Sequence, residues 1–456
     1  VKIYQKVLWS TLIGGFTVTL AACGGAEENG EEANAGNTGN GGNNAENEAE
    51  GSGEAVEITL WHMEEPPHRV ERFNEVFDRF NESQDDYVIN SQVQNWDDAY
   101  VQFPSAIQAG EGPDLLFTIP DYTALIQDLD VLQPVEDIVE QIDADHGFIE
   151  TALVPYQYED HTWAVPLYGM VQALWYRADH FEEAGLEVPE TWEDLLAAAE
   201  TLNDGDRNGI ALPASSTMAT DQVLYSIMVS GGAKDIIDSD NNVNFNTQET
   251  VDSYELYADL LEYSPSDSTS YGWGEPQAQF NSGNASMAIE KGQYLAPFED
   301  ESGQPAESLG VAPIPQGPNG EEGSIYYSNA VMMLTDEEEK QAGIEAFFEF
   351  MFDPDNYGDF LNADPGLFLP VTEDGTDGSF YEDPVVEQYR EHVDFLIDYS
   401  QHGQLFGFTD GVASRIGQIA GPNYIAETLQ QIIINDMTPE EAVEWGQEQM
   451  EEAVQE

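Results

Sequence analysis

Between Val56 and Ile119 the chain spells strand, helix, strand, helix, strand, and that order admits few folds. Val56–Trp61, "VEITLW", alternates like a half-buried strand. Pro66-Pro67 opens a helical pattern that runs through Arg79-Phe80. Tyr87–Val93 is a second strand, 97–109 a second helix, and 114–119, "DLLFTI", a buried third strand after the breaker Gly110-Glu111-Gly112-Pro113. Successive strands joined by helices favour a parallel sheet in an α/β fold. Further helical periodicity covers 123–132, 135–142, 191–202, 250–263, 337–351, 384–398 and 422–435. Short strands are expected at 163–166, 173–176 and 210–212. Thr191 is placed to cap one helix and Thr438 another that runs from Pro439 to Val454. Alternation continues beyond the needs of one sheet, and the folded length exceeds a single typical core. Two α/β lobes with a ligand between them are the expected architecture.

The first 22 residues read as an export signal: Lys2 and Lys6, an apolar run Val7–Leu20, then Ala21-Ala22. Leu20-Ala21-Ala22-Cys23 resembles the bacterial lipobox, which implies a lipid on Cys23, the only cysteine of the chain. A lone cysteine makes no intrachain disulfide. Acyl chains contribute about 0.8 kcal/mol per buried CH₂, and two or three hold a protein on a membrane. Residues 23–55 are rich in Gly, Asn, Ala and Glu with almost nothing strongly apolar, so they read as a flexible tether.

The chain carries 89 acidic and 12 basic residues, a formal net charge of −77. This disfavours nucleic acid and anionic lipid surfaces as partners. The acids are spread along a chain that is 41% hydrophobic and 11% aromatic, so it has a core and is not a disordered tail. Such one-sign charge is tolerable where salt shortens its range, which points to a halophilic or haloalkaliphilic source.

Enzyme signatures are missing from the sequence: no Gly-x-Ser-x-Gly, no phosphate-binding loop, no His-Glu-x-x-His. The seven histidines show no ligand spacing. With so many carboxylates, an acid/base pair cannot be picked out by counting. Asp204, Asp206 and Asn208 begin like a calcium loop, but Ser215 stands at its twelfth position and Arg207 lies inside, so a polar turn is the favoured reading. Aromatics gather at element ends and loops: Trp61, Trp96, Tyr122, Trp163, Tyr168, Tyr271, Trp273, Tyr294, Tyr326, Tyr327, Phe406 and Phe408. Aromatic plates beside carboxylates suit sugars, whose C–H faces are apolar and whose rims are hydroxyls. Any single one of them is as readily a core residue.

Several stretches resemble the maltodextrin-binding proteins, the sugar-binding proteins of ABC importers: "QFPSAIQAGEGPDLLF" (102–117), "LWYRADHFEEAGLEVPETWEDLLAAAETL" (174–202), "FNSGNASMAIEKGQY" (280–294), "LGVAPIPQGPNG" (309–320) and "MTPEEAVEWGQEQMEEAV" (437–454). The resemblance covers 56–456. It implies a two-lobed periplasmic-binding-protein-like fold of the class II type with two or three crossovers. It places lobes at 56–168 plus 326–380 and at 169–325 plus 381–456. It implies ligand contacts from His62, Glu64, Glu65, Asp121, Tyr122, Tyr168 and Gln172, and a stacking role for Tyr294, with Tyr326 and Phe406 as further aromatic candidates. Trp96 reads as a packing residue. The chain departs from the pattern at Thr118, where a Trp is common, at Met170 or Gln172, where a Glu is usual, and at Pro422-Asn423, where an aromatic pair is usual.

The expectation is a monomeric, lipid-anchored protein on the outer face of the cell membrane. It would capture an oligosaccharide, maltodextrin foremost, and deliver it to an ABC permease without cofactor or covalent chemistry. The competing expectations are a secreted glycan-active enzyme and an importer protein for a polyol or peptide. From the charge, the melting temperature is expected to climb steeply with NaCl; a melt that is flat from low salt upward would refute the halophilic reading.

Overall fold

The computed structural model describes residues 55–95, 100, 102–320 and 322–455. The leader, Cys23, the tether and Trp96 lie outside them. The strands are β1 Val56–His62, β2 Tyr87–Val93, β3 Leu115–Thr118, β4 Gln157–Tyr158, β5 His161–Thr162, β6 Val165–Val171, β7 Ala173–Arg177, β8 Met287–Glu290, β9 Leu309–Ala312, β10 Ser324–Met333 and β11 Gly403–Gln404.

Two sheets organise the described chain into a two-lobed α/β fold. In the first lobe β2, β1 and β3 run parallel, with Val56 opposite Tyr87 and Leu60 opposite Leu115. The long strand β10 lies antiparallel between β3 and β6. In the second lobe β7 is flanked by β8 and β9, both antiparallel to it. β4 and β5 form a separate hairpin.

Local chemistry explains several helix starts. Helix Pro67–Ser83 starts with proline at its first position, where the missing N–H costs nothing. It buries Phe73, Val76, Phe77 and Phe80 on one face. Phe73 stacks on Phe360 at 4.6 Å, which ties this helix to Pro354–Leu361. Thr191 caps Trp192–Leu202 by accepting from the Asp194 amide, and Thr438 with Glu441 makes a full capping box on Pro439–Ala453.

Several elements differ from the sequence reading. The strand expected at 163–166 begins at Val165 and continues to Val171, because β10 offers it a partner along that length. The segment 210–212 is not a strand; only Ala211 bridges to Ala288. The helix expected over 384–398 is two helices, Pro384–Gln388 and Arg390–Ser400, parted by Tyr389 at ψ 29°. The helix expected from Pro422 starts at Tyr424, after Asn423 in the left-handed region. The helix expected over 123–132 runs from Pro120 to Gln127. Helix Met218–Gly231 and strand β10 had no counterpart in the sequence reading.

The passage from one sheet to the other takes one residue. β6 stays with β10 as far as Val171, and Ala173 already pairs with Glu290 of β8. Gln172 therefore sits at the crossing, with its amide donating to the Ile325 carbonyl at 3.3 Å. The Ser226 hydroxyl joins both crossing strands: it donates to Gln172 Oε1 at 2.8 Å, and Ser324 Oγ lies 3.2 Å away.

The lobes also meet backbone to backbone where the turn after β8 reaches the loop before Leu367. A Cβ added at Gly292 would overlap the Gly366 carbonyl oxygen and crowd the Leu367 amide, so only glycine permits the approach. Gly292→Ala is expected to lower the melting temperature and speed hydrogen exchange at the Leu367 amide. Gly274→Ala, which meets nothing within 4 Å, should do neither. Unchanged exchange in Gly292→Ala would refute the contact.

Candidate functional site

Polar side chains from both lobes converge beside the crossing. Helix Pro120–Gln127 follows β3 directly and carries Asp121 and Tyr122 in its first turn. Tyr100 donates its hydroxyl to Asp121 Oδ2 and packs edge-on against Tyr122, ring centres 5.5 Å apart. Asp121 is only 1% exposed, and its second oxygen has no partner. Burial pushes its pKa up from 3.8 to about 6, against the opposing hydrogen bond from Tyr100.

Other unpartnered polar atoms belong to neighbouring elements: Tyr122 Oη, Gln172 Nε2, Gln222 Oε1 and Asn329 Nδ2. Gln222 lies one helical turn before Ser226, the residue that holds the crossing. Its side chain reaches Tyr327, whose hydroxyl also lies near Asp121 and Asp221. Asn329 shares the alternating face of β10 with Tyr327 and pairs across to Tyr168. Asp221 is also buried, but its carboxylate serves the fold. Its Oδ1 accepts from the Ala426 amide at 2.6 Å and caps helix Tyr424–Ile433.

A buried polar atom without a partner costs about 1–3 kcal/mol. Donors (Gln172, Asn329), acceptors (Asp121, Gln222) and a hydroxyl that does both (Tyr122) stand together here. That mixture matches the rim of a polyhydroxylated molecule.

A charged group lies along the same lobe edge. Arg69 donates to Glu64 and to Asp364, each at 2.7 Å, and Tyr168 donates to Glu64 Oε1 at 2.7 Å. Glu64 and Tyr168 are thus engaged with each other and with Arg69. Glu65 is exposed and receives only a long contact from Asn95 at 3.4 Å.

Four sequence candidates sit in packed surroundings outside this group. His62 is fully buried among Phe73, Phe77 and Phe117, and burial lowers its pKa to about 4. Tyr294 lies flat on Trp175, centres 5.2 Å apart at 10°, with Phe280 against its edge. Tyr326 packs over Gly169 and Gly403. Phe406 stands edge-on to Tyr225 at 5.0 Å. Asp204 accepts from the amides of Asp206 and Arg207, each at 3.1 Å, and pairs with the Arg207 side chain. Asn208 donates its amide to Asn284. Among the described residues no group of three or more His, Cys, Asp or Glu is arranged to hold a metal.

Sequence reasoning missed Tyr100, Gln222 and Asn329, and named Tyr327 only within a list of twelve aromatics. The available signal was polarity out of place: Ser328 and Asn329 interrupt the otherwise apolar or aromatic 325–333, and Gln222 directly precedes the mostly apolar 223–229.

Residues 67–358 match the family of bacterial extracellular solute-binding proteins, and the chain belongs to that family. It is 24% identical over 409 residues to the putative ABC transporter periplasmic-binding protein YcjN of Escherichia coli (strain K12), covering 88% of this chain and 93% of the relative. Among solved structures, maltose-bound T. maritima MalE3 superposes with a TM-score of 0.73 at 18% identity, over 87% of this chain and 99% of that one. A solute-binding protein of Agrobacterium radiobacter K84 in complex with ribitol gives 0.71 at 18% identity, over 87% and 98%. These likenesses establish the two-lobed fold. No described helix is long and apolar enough to cross a membrane.

A carboxyl whose pKa is raised on folding binds its proton more tightly in the folded state. Folding therefore loses stability as pH rises from 3.8 to about 6. Asp121→Asn is expected to raise the melting temperature of the ligand-free protein at pH 8 and leave it unchanged near pH 3. An equal effect at both pH values would mean that Asp121 is not buried as described.

Proposed function

We propose that this chain is the ligand-capturing component of a carbohydrate ABC importer. It takes an oligosaccharide between its lobes and presents the closed form to a membrane permease, with no covalent chemistry. The observation that carries the reading is the set of buried, unpartnered donors and acceptors contributed by both lobes: Asp121, Tyr122 and Asn329 from one, Gln222 from the other, and Gln172 at the crossing. Sugar hydroxyls both donate and accept, so one ligand can satisfy all five and draw the lobes together. Glu64 and Tyr168 support the same cleft wall through Arg69. Maltodextrin is the foremost ligand by resemblance. The ribitol-bound neighbour makes a polyol the second reading. Cys23 is read as the lipid anchor that keeps the protein at the outer membrane face, on the strength of Leu20-Ala21-Ala22-Cys23.

The test is calorimetric titration of residues 56–456 in about 2 M NaCl, where charges are screened, with maltodextrins, other oligosaccharides, polyols and peptides. Binding of one sugar class is expected, and ligand at 100 times its dissociation constant should add about 2.7 kcal/mol to stability. Gln222→Ala and Asn329→Ala should each weaken that ligand about tenfold. Binding of peptides alone overturns the reading. So does release of shorter sugars from the incubated oligosaccharide.

A further inference from the structure

We propose that Trp273 is the ligand-stacking aromatic of the cleft and that it selects a cyclic sugar over a linear polyol. This rests on the capture reading above. The resemblance gives the stacking role to Tyr294, but that ring is already stacked on Trp175, closed at its edge by Phe280, and fully buried. Trp273 is 36% exposed, and the other exposed large hydrophobic side chains of the described residues, Val93, Val154 and Ile434, are aliphatic.

The indole is held in place from below. Lys291 Nζ lies 3.6 Å from the centre of the Trp273 ring. A cation seated on one face fixes the plane of the ring and leaves the other face for a partner. Trp273 directly precedes helix Gly274–Asn281, and Gln277 of that helix donates to the Gln293 carbonyl at 2.9 Å. Indole, lysine and the turn 291–293 thus form one unit. Gly292 of that turn is the residue that meets Gly366 of the other lobe, which puts the unit at the junction of the lobes.

Polar groups surround the plate. Lys291 is 8% exposed and lies in the field of the Glu290 and Glu64 carboxylates. Glu290 Oε2 and Gln293 Oε1 are buried without partners. A pyranose ring laid on the indole would cover its free face with an apolar C–H face. Its hydroxyls would donate to the two acceptors, while the ammonium stays on the opposite face of the ring. A linear polyol can meet the polar groups but has no flat face to lay on the ring. Because the ring is held before the ligand arrives, little ordering entropy is lost on binding.

The experiment compares wild type, Trp273→Phe and Trp273→Ala in calorimetry with the cyclic sugar that binds best and with ribitol, and follows tryptophan emission during titration. Wild-type emission is expected to shift with the cyclic sugar, and Trp273→Phe should lose that shift while keeping most of the affinity. Trp273→Ala should weaken the cyclic sugar about tenfold and leave any ribitol affinity unchanged. Equal melting temperatures without ligand would show that all three are folded. Wild-type affinity for the cyclic sugar in Trp273→Ala, or an equal loss for ribitol, overturns the inference and leaves the capture reading standing. Failure of wild type to bind any sugar overturns both.

Discussion

The Ser226 hydroxyl is the point on which the two-lobed arrangement turns. One strand leaves the first sheet at Val171 and enters the second at Ala173, with Gln172 alone between them. The returning strand begins at Ser324, beside it. Ser226 donates to Gln172 and lies within reach of Ser324 and the Ile325 amide. One side chain of a buried helix thus registers both crossings.

The same place explains the polar set. The crossing places the Gln172 side chain between the sheets, and helix Met218–Gly231 and the first turn of Pro120–Gln127 bring more polar side chains. A core would fill such a site with apolar residues, since buried polar atoms without partners weaken a fold. Here Asp121, Tyr122, Gln172, Gln222 and Asn329 remain polar and unpartnered. Stability given up at one place is the usual mark of a site that recovers it on binding. Asp221 is the instructive contrast: it is just as buried, yet its carboxylate is used to cap a helix.

Glycine decides how close the lobes come. The backbone of the turn at Gly292 lies against that of Gly366, and Tyr326 covers Gly169 near the crossing. Neither approach survives a Cβ. Tyr326 therefore acts as packing in this structure, while Trp273 stays partly exposed with Lys291 on one face of its ring.

Local chemistry was legible without the fold. β2 is found where the sequence reading put it, Thr191 and Thr438 cap the helices they were placed to cap, and the parallel order of the first three strands follows from strand–helix–strand spacing. Asp121 and Gln172 were legible through resemblance, and both stand in the polar set. The misses have one physical cause. Helix Met218–Gly231 is buried at nearly every position and β10 at all ten, so neither shows a polar face, and periodicity is the contrast between faces. Those two elements carry Gln222, Ser226, Tyr327 and Asn329. Sequence by itself determined the parallel relation of the first three strands, the two threonine caps and the acidic composition, because each depends on residues near in the chain or on composition. Tertiary structure alone decided that Tyr294 is spent on Trp175, that Trp273 stays partly exposed, and that unpartnered polar atoms distant in sequence gather near the strand crossing, because those outcomes depend on which buried surfaces meet.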